Sequence, residues 1–318
     1  MKIDVVASLP HYLTHMLPIF DALPAELRGD IHPLRDIVDR PLPGRAALVA
    51  GWQDVVEIGG RAPMIYVEHG AGQTYTGDDR VRRNPGYSGS GGERHHGVIG
   101  FISPRQVVAD RWRTAPAIAA GCPKLDYWWN EKRHADRWSV CFAWHWPGGE
   151  VCPEASTAWP HYADEMPAIV EHLHRLGFDV YGHAHPRWRG QLDQQLHDAG
   201  LIVLEHESQV FDRCETLFVD NSSLGAEFLA LGRPVVWLNA PWFRRDVEHG
   251  DRFWTWPTLG MSCDSPLELI RMQWWEWVNR FTNDESTTLD AELTVGYANM
   301  GHAAEVAAAF IVDLIGKR

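Results

Sequence analysis

The chain has 318 residues, of which 45% are hydrophobic and 22% are charged, a composition typical of a globular protein of about two domains. Acidic residues outnumber basic ones by 42 to 29, and the formal net charge of −13 argues against a general binder of nucleic acid or anionic membranes. Five cysteines without a paired spacing favour neither a disulfide framework nor a zinc ribbon. The apolar run after Met1 is too short for a signal peptide, and no run approaches the roughly 18 to 20 residues of a membrane span. We therefore expect a cytoplasmic protein.

Short apolar runs alternate with helical patterns along the chain, as in a parallel sheet covered by helices. In the first half, a helix is predicted at 11–23 and strands at 3–7, 46–50, 64–67, 98–102 and 117–120. In the second half, helices are predicted at 162–176, 190–199 and 224–231, and strands at 140–143, 179–181, 201–204, 216–219 and 234–238. An Ala-rich helix from 297 onward is predicted to pack back across the two halves.

This order predicts an α/β protein made of two doubly wound, Rossmann-like domains, 1–128 and 135–318, with a polar stretch at 130–133 as a candidate linker. We expect the two domains to face each other across a cleft. Ligands of open parallel sheets bind at the carboxyl ends of the strands, so the residues that follow each strand are the candidates for function.

The segment at 219–227 carries the most informative pattern. A strand ends at Asp220, the polar residues Asn221, Ser222 and Ser223 follow, and a helix then begins. The amino end of a helix suits a phosphate, and Glu227, about one turn further on, could accept hydrogen bonds from the hydroxyls of a ribose. The alternative is that one of the serines only caps the helix.

This segment resembles the nucleotide-diphosphate site of GT-B glycosyltransferases, and it is especially similar to CDP-glycerol glycerophosphotransferases and UDP-GlcNAc 2-epimerases. The resemblance implies a GT-B-like fold with a nucleotide-donor domain at 135–318 and an acceptor domain at 1–128. It also implies that Ser222, Ser223 and the neighbouring Asn221 bind the donor diphosphate and that Glu227 binds the ribose.

Three other segments agree with the resemblance in order and spacing. The motif Gly-Cys-Pro-Lys-Leu-Asp at 121–126 is similar to the one that ends the first domain of this superfamily. The strand and loop at 140–146 resemble the opening of the second domain and include Trp144 and His145, which we expect at the donor. Tryptophan faces in such loops could stack on a base or sugar, Trp146 among them.

The His-Pro loop at 182–187 resembles the loop after the second strand of that domain. His183, His185 and Arg187 could donate to a phosphate oxygen, and His185 could supply a proton to a leaving group. A surface loop with solvated histidines is the alternative.

Two histidines of the first half are candidate general bases. His69 follows the strand at 64–67 in a Gly-rich segment that resembles the His-Gly motif facing the donor in glycerophosphotransferases. The residues after it, Ala-Gly-Gln instead of Thr-Pro-Leu, leave the transferred group open. His11 lies at the first strand–helix junction, where an imidazole can take a proton from a hydroxyl at neutral pH. Solvated positions are the alternatives for both.

We expect no cofactor and no metal requirement, because basic side chains and helix ends can neutralise a leaving diphosphate. The main hypothesis is a transferase that moves a glycosyl or glycerophosphate group from a nucleotide-sugar or CDP-glycerol-like donor to an acceptor hydroxyl. The acceptor could be a glycan, a lipid-linked glycan, a small molecule or a modified nucleic acid. The alternatives are an epimerase that uses Glu68 or Glu154 with His185, and a nucleotide-binding module without catalysis.

Overall fold

The computed structural model describes residues 1–38, 42, 45–69, 97–110, 112–131, 135–147, 156–243, 261–271 and 296–317. The chain forms two compact units, one of Met1–Glu131 together with Gly296–Arg318 and one of Lys132–Val295. Among the described residues, no helix combines the length and apolar character that crossing a membrane requires.

The first unit contains a parallel sheet whose strands lie in the order β2-β1-β3-β4-β5-β6. The strands are β1 (Lys2–Ala7), β2 (Arg28–Pro33), β3 (Arg45–Val49), β4 (Met64–Val67), β5 (Val98–Ser103) and β6 (Ala117–Ala119). The helices are α1 (Pro10–Ala22), α2 (Leu34–Ile37), α3 (Trp52–Ile58), α4 (Gln106–Ala109) and α5 (Asp126–Glu131), with 3₁₀ turns at Ala25–Leu27 and Pro123–Leu125.

Apolar side chains cover both faces of this sheet, as expected for parallel strands that are buried on two sides. The last helix of the chain, Ala303–Gly316, belongs to one of these faces, where Ala307 and Ile311 pack with α1 and the sheet. Gly100 in β5 allows the close approach, because a Cβ there would lie 2.6 Å from Leu314 Cδ2. The sequence assigned this helix to the second domain; the structure places it in the first unit, since its apolar side is part of that core.

The second unit contains a parallel sheet in the order β12-β11-β10-β7-β8-β9. Its strands are β7 (Asp136–Trp144), β8 (Asp179–Ala184), β9 (Ile202–Val203), β10 (Cys214–Val219), β11 (Val235–Leu238) and β12 (Met261–Cys263). Its helices are α6 (Trp159–Tyr162), α7 (Met166–Arg175), α8 (Leu192–Asp198), α9 (Glu207–Arg213), α10 (Leu224–Ala230) and α11 (Pro266–Arg271), with a 3₁₀ turn at Ala163–Glu165. The last helix of the first unit, Ala303–Gly316, is α12.

One residue of the second unit shows how tightly its helices pack. Gly225 lies in α10 against the buried Trp237 of β11, and a Cβ at position 225 would lie 2.3 Å from Cη2 of that indole. The glycine therefore serves packing of helix on sheet, and Trp237 has the core position that its strand location favours.

In both sheets the strand order reverses beside the first strand of the unit. In the first unit the chain runs outward from β1 to β2 and returns to pair β3 with β1; in the second it runs from β7 through β8 to β9 and returns to pair β10 with β7. The carboxyl ends of neighbouring strands at such a reversal form the usual ligand crevice of open α/β sheets. These two edges, called here the first-unit edge and the second-unit edge, position the candidate site residues.

Candidate functional site

Asp220 connects several chain segments at the second-unit edge. It directly follows β10, is buried, and accepts hydrogen bonds from three backbone N–H groups and one hydroxyl. The donors are the His145 N–H at 3.0 Å, the Ala158 N–H at 3.0 Å, the Asn221 N–H at 2.7 Å and the Thr157 hydroxyl at 2.9 Å. Burial nevertheless raises the pKa of Asp220 to about 6. This carboxylate joins three separate chain segments and thereby fixes the backbone that carries His145.

His145 and His185 lie together at this edge with ring centroids 5.1 Å apart. The His185 N–H donates to the Trp144 carbonyl at 3.0 Å, continuing the β7–β8 pairing and placing the second ring beside the first. His145 Nδ1 lies 3.1 Å from the Trp146 carbonyl, which can only accept, so this nitrogen carries the proton. His185 Nδ1 instead accepts from the Arg187 N–H at 3.2 Å, so its proton is on Nε2. The neutral rings thus have opposite tautomers.

Arg187 and Trp146 complete the edge on the solvent side. The Arg187 guanidinium carbon lies 5.2 Å from the centroid of a Trp146 ring, within range of a cation–π interaction. Arg187 is exposed, while Trp146 and His185 are half-buried. The arrangement provides a cation, an imidazole N–H and an aromatic face within one small region.

The serine segment lies where the sequence predicted it, between β10 and α10. The Ser223 side chain makes no capping hydrogen bond, whereas Ser222 Oγ accepts from the Leu224 N–H at 3.4 Å. Asn221 and Ser222 are buried, Ser223 is half-buried, and Glu227 is completely buried in α10. A ribose would therefore reach the Glu227 carboxylate only after the atoms around it rearranged.

Two residues predicted to contact the donor are buried in the second unit. Trp144 is the last residue of β7 and is 1% exposed, with its ring against Trp159 and Tyr162 in the core. His183 lies within β8, is 4% exposed, and donates from Nδ1 to the Leu204 carbonyl at 2.9 Å, while burial lowers its pKa. Both side chains are buried because the strands extend further than predicted; contact of either residue with a donor stays a prediction.

At the first-unit edge, His69 follows β4 and lies near α1. Its Nδ1 is 2.5 Å from the Ala50 carbonyl, so that nitrogen carries the proton and Nε2 carries the lone pair of the neutral ring. The Tyr12 ring packs against it with centroids 4.6 Å apart. Gly51 makes room for the tyrosine, because a Cβ there would lie 2.5 Å from Tyr12 Cε2. The backbone thus holds His69 in the tautomer of a general base.

His11 is brought to the same place, with its ring centroid 6.3 Å from that of His69. The structure adds two basic residues that the sequence analysis did not single out. His15, one turn further along α1, has its centroid 6.2 Å from His69, and Lys124 lies in the 3₁₀ turn Pro123–Leu125 that packs on α1. The i, i+4 spacing of His11 and His15 was a usable signal; the approach of Lys124 depends on tertiary packing.

Three carboxylates of the first unit accept hydrogen bonds at this edge or near it. Asp54 Oδ2 accepts from the Ser8 N–H at 3.0 Å and fixes the end of β1. Glu68 is buried and accepts from the Ser103 hydroxyl at 2.7 Å. Asp126 caps α12 by accepting from the Ala303 and Ala304 N–H groups at 3.1 and 2.8 Å. The motif at 121–126 therefore ties the last helix to the first unit.

A cavity of about 500 Å³ opens beside the ends of β1 and β2. Its lining is largely apolar, with Ser8, His32, Arg35 and Glu57 as polar members. It provides room for a small organic group next to the start of α1.

One group of possible metal ligands occurs in the described residues, formed by Asp4, Asp30 and His32. Arg45 Nη1 lies 2.7 Å from Asp4 Oδ1 and 2.7 Å from Asp30 Oδ2, so a cation already occupies the space between the two carboxylates. These residues and Arg45 form an ion-pair network that joins β1, β2 and β3. The Gly-rich stretches at 70–74 and 86–92 and the candidate Glu154 lie outside the described residues.

Comparison of the sequence with protein-family models and with curated proteins gives no match. Comparison of the structure with solved structures does give matches. The wall teichoic acid polymerase TagF is similar over 99% of this chain and 90% of that chain, with a TM-score of 0.60 at 13% identity. Staphylococcus aureus MnaA in complex with UDP is similar over 99% and 98%, with a TM-score of 0.58 at 12% identity. A UDP-N-acetylglucosamine 2-epimerase is similar over 100% and 97%, with a TM-score of 0.55 at 11% identity.

These similarities confirm the fold expected from the sequence: two α/β units of the GT-B type, each with a parallel sheet. The identities are low, so fold is what the chain shares with these proteins. The chemistry must be argued from its own residues.

Proposed function

We propose that the protein is a nucleotide-dependent transferase that moves a glycosyl or glycerophosphate group from a nucleotide-diphosphate donor to an acceptor hydroxyl. The observation that carries the proposal is the His69 tautomer. A lone pair on Nε2, fixed by the Ala50 carbonyl, suits the removal of a proton from an attacking hydroxyl. The fold shared with TagF and with sugar-nucleotide epimerases supports a nucleotide-activated donor.

In this proposal the second-unit edge binds the donor. The Nε2–H of His185 and the guanidinium of Arg187 stabilise negative charge on the leaving phosphate, and His145 orients the neighbouring ring. Ser222 and Ser223 contact the diphosphate, and Glu227 contacts the ribose after the atoms around it rearrange. Because these side chains supply the positive charge, we expect the reaction to proceed without a metal ion and to survive EDTA.

The first-unit edge holds the base and the acceptor in this proposal, with the cavity beside β1 and β2 as the acceptor pocket. Proton transfer to His69 accompanies formation of the new bond from the acceptor oxygen. Glycosyl transfer breaks the bond between the sugar and the diphosphate and releases a nucleoside diphosphate. Glycerophosphate transfer breaks the bond between the two phosphates and releases a nucleoside monophosphate. The nucleotide product therefore identifies the transferred group.

A thermal-shift panel of UDP, CDP, GDP and ADP identifies the nucleoside first, because a ligand at about 100 times its dissociation constant adds about 2.7 kcal/mol of stability. Transfer from the matching donor is then compared in wild type, His69→Asn and His197→Asn. Asparagine retains a donor for the Ala50 carbonyl but removes Nε2, so transfer should fall at least about 100-fold with nucleotide affinity unchanged. His197 is exposed on α8 and serves as the matched control. Equal activity of His69→Asn and wild type rejects His69 as the base.

An epimerase that uses Glu68 or Glu154 with His185 is the second candidate, because the chain shares its fold with a UDP-N-acetylglucosamine 2-epimerase. Incubation with UDP-GlcNAc alone separates the two, since an epimerase turns over without an acceptor. A binding module would show nucleotide affinity that survives the His69 and His185 substitutions and would transfer to no acceptor.

A further inference from the structure

Four side chains of basic residues gather at the first-unit edge. His11 and His15 come from α1, His69 follows β4, and Lys124 comes from the 3₁₀ turn Pro123–Leu125. The His69 ring centroid lies 6.3 Å from that of His11 and 6.2 Å from that of His15. This group is called here the basic cluster.

Two members of the basic cluster are buried: His15 is 4% exposed and Lys124 is 5% exposed. A buried imidazole nitrogen is costly unless a hydrogen bond compensates it. His15 Nδ1 is itself buried and has no hydrogen-bond partner among the described residues. Buried polar atoms without a partner are rare in folded proteins and call for an explanation.

The groups that act most strongly on His15 are all basic. Burial, followed by the charges of Lys124, His69 and His11, lowers the pKa of His15 well below its usual value. These groups belong to α1, to the 3₁₀ turn packed on it, and to the residue after β4. An anion placed beside Lys124 and His15 would be attracted by the lysine side chain and could accept a hydrogen bond from His15 Nδ1.

We propose that the basic cluster binds a phosphate-type oxyanion of a substrate, with His15 and Lys124 as the buried donors and His11 at the rim. A tetrahedral oxyanion suits such a cluster, because it offers several acceptor oxygens in different directions. The proposal deepens the proposed function, on which it rests for the identity of the substrate. The oxyanion belongs either to the donor diphosphate or to a phosphorylated acceptor, and the two sources are separable by experiment.

The test measures binding of sulfate, whose charge is constant over the neutral range, to the full chain by isothermal titration calorimetry at fixed ionic strength. Lys124→Met removes the buried amino group, and His15→Gln independently removes the buried imidazole. Lys2→Met is the matched control, because Lys2 is exposed at the opposite, amino end of β1 in the same sheet. Circular dichroism checks that each variant is folded.

Sulfate affinity should fall about tenfold or more in both Lys124→Met and His15→Gln, the loss expected for one charge-assisted hydrogen bond, and should not change in Lys2→Met. Lys124→Arg should retain most of the affinity because it keeps the charge. Equal sulfate affinity in wild type, Lys124→Met and His15→Gln would overturn the proposal, as would absence of sulfate binding by wild type.

A second arm assigns the source of the oxyanion. Sulfate is titrated in the presence of the nucleoside diphosphate that the thermal-shift panel identifies. Competition places the donor diphosphate at the basic cluster, and independent binding assigns the cluster to a phosphorylated acceptor. The sulfate experiment needs no turnover. Loss of sulfate binding in the variants together with absence of transfer would therefore reject the transferase and keep the anion site.

Discussion

Replacement of Asp220 by asparagine tests how the second-unit edge is held. Asp220 is buried between three chain segments, and its pKa is raised by burial from 3.8 to about 6. A folded-state pKa above the unfolded value means that the folded state binds the proton more tightly than the unfolded chain does. The stabilising contribution of the protonated carboxyl is therefore complete below about pH 3.8 and is lost as the pH rises through about 6.

The magnitude follows from the two pKa values. Each pKa unit is worth about 1.36 kcal/mol, so ionised Asp220 costs the folded state about 3 kcal/mol once the pH is above both values. Part of this cost already develops by about pH 4.5, which leaves about 2 kcal/mol between about pH 4.5 and about pH 7.5. Asp220→Asn cannot titrate. The NH₂ group of the asparagine side chain would face one of the backbone N–H donors that now bind the carboxylate. This loss of a hydrogen bond should lower the free energy of unfolding by about 1–3 kcal/mol at every pH.

The assay is urea unfolding of wild type and Asp220→Asn across this pH range, followed by tryptophan fluorescence and circular dichroism. Other titrating groups are common to both proteins, so their contributions cancel in the difference. We expect the free energy of unfolding of wild type, relative to the variant, to fall by about 2 kcal/mol as the pH rises. A difference that is flat or increases with pH would refute the reasoning, because it would mean that the four hydrogen-bond donors outweigh burial.

Three further predictions concern single contacts. Gly225→Ala should destabilise the protein by about 1–3 kcal/mol in urea unfolding, because its Cβ would lie 2.3 Å from the Trp237 ring, whereas Gly316→Ala, with open space around it, should be neutral or slightly stabilising. Asp126→Ala removes both hydrogen bonds to the first turn of α12 and should cost about 1 kcal/mol, with faster amide exchange in that helix; unchanged exchange would contradict the cap. Trp146→Phe should abolish most of the fluorescence quenching caused by the nucleotide that stabilises the protein, and undiminished quenching would exclude Trp146 from the donor site.

The sequence predicted the buried strands well, because parallel strands covered on both faces appear as continuous apolar runs. It missed β2, Arg28–Pro33, which lies at an edge of its sheet and has exposed or half-buried residues throughout. It missed β12, Met261–Cys263, which is also an edge strand and only three residues long. Edge strands of this kind lack the hydrophobic pattern that identifies central ones.

The ends of two strands near the candidate site were predicted too early, for a related reason. Residues 140–143 and 179–181 were predicted as strands, but β7 ends at Trp144 and β8 ends at Ala184. Trp144 and His183 therefore lie inside strands, where alternate side chains point into the core, and not in ligand-binding loops. His145 and His185 follow the true strand ends, and their ring centroids lie 5.1 Å apart. Where a strand ends depends on pairing with its neighbours, which a single sequence does not reveal.

Backbone contacts fix the proton positions of the candidate catalytic histidines in both units. Carbonyl oxygens hold the proton of His69 and of His145 on Nδ1, while a backbone N–H reverses the tautomer of His185. Buried carboxylates in turn fix nearby stretches of backbone. Asp220 accepts from the His145 N–H, and Asp54 accepts from the Ser8 N–H after the end of β1, three residues before His11. A transfer reaction needs one group that accepts a proton from the acceptor and another that donates to the leaving phosphate. In the proposed transfer these roles would fall to His69 and His185, whose tautomers the main chain sets without a substrate.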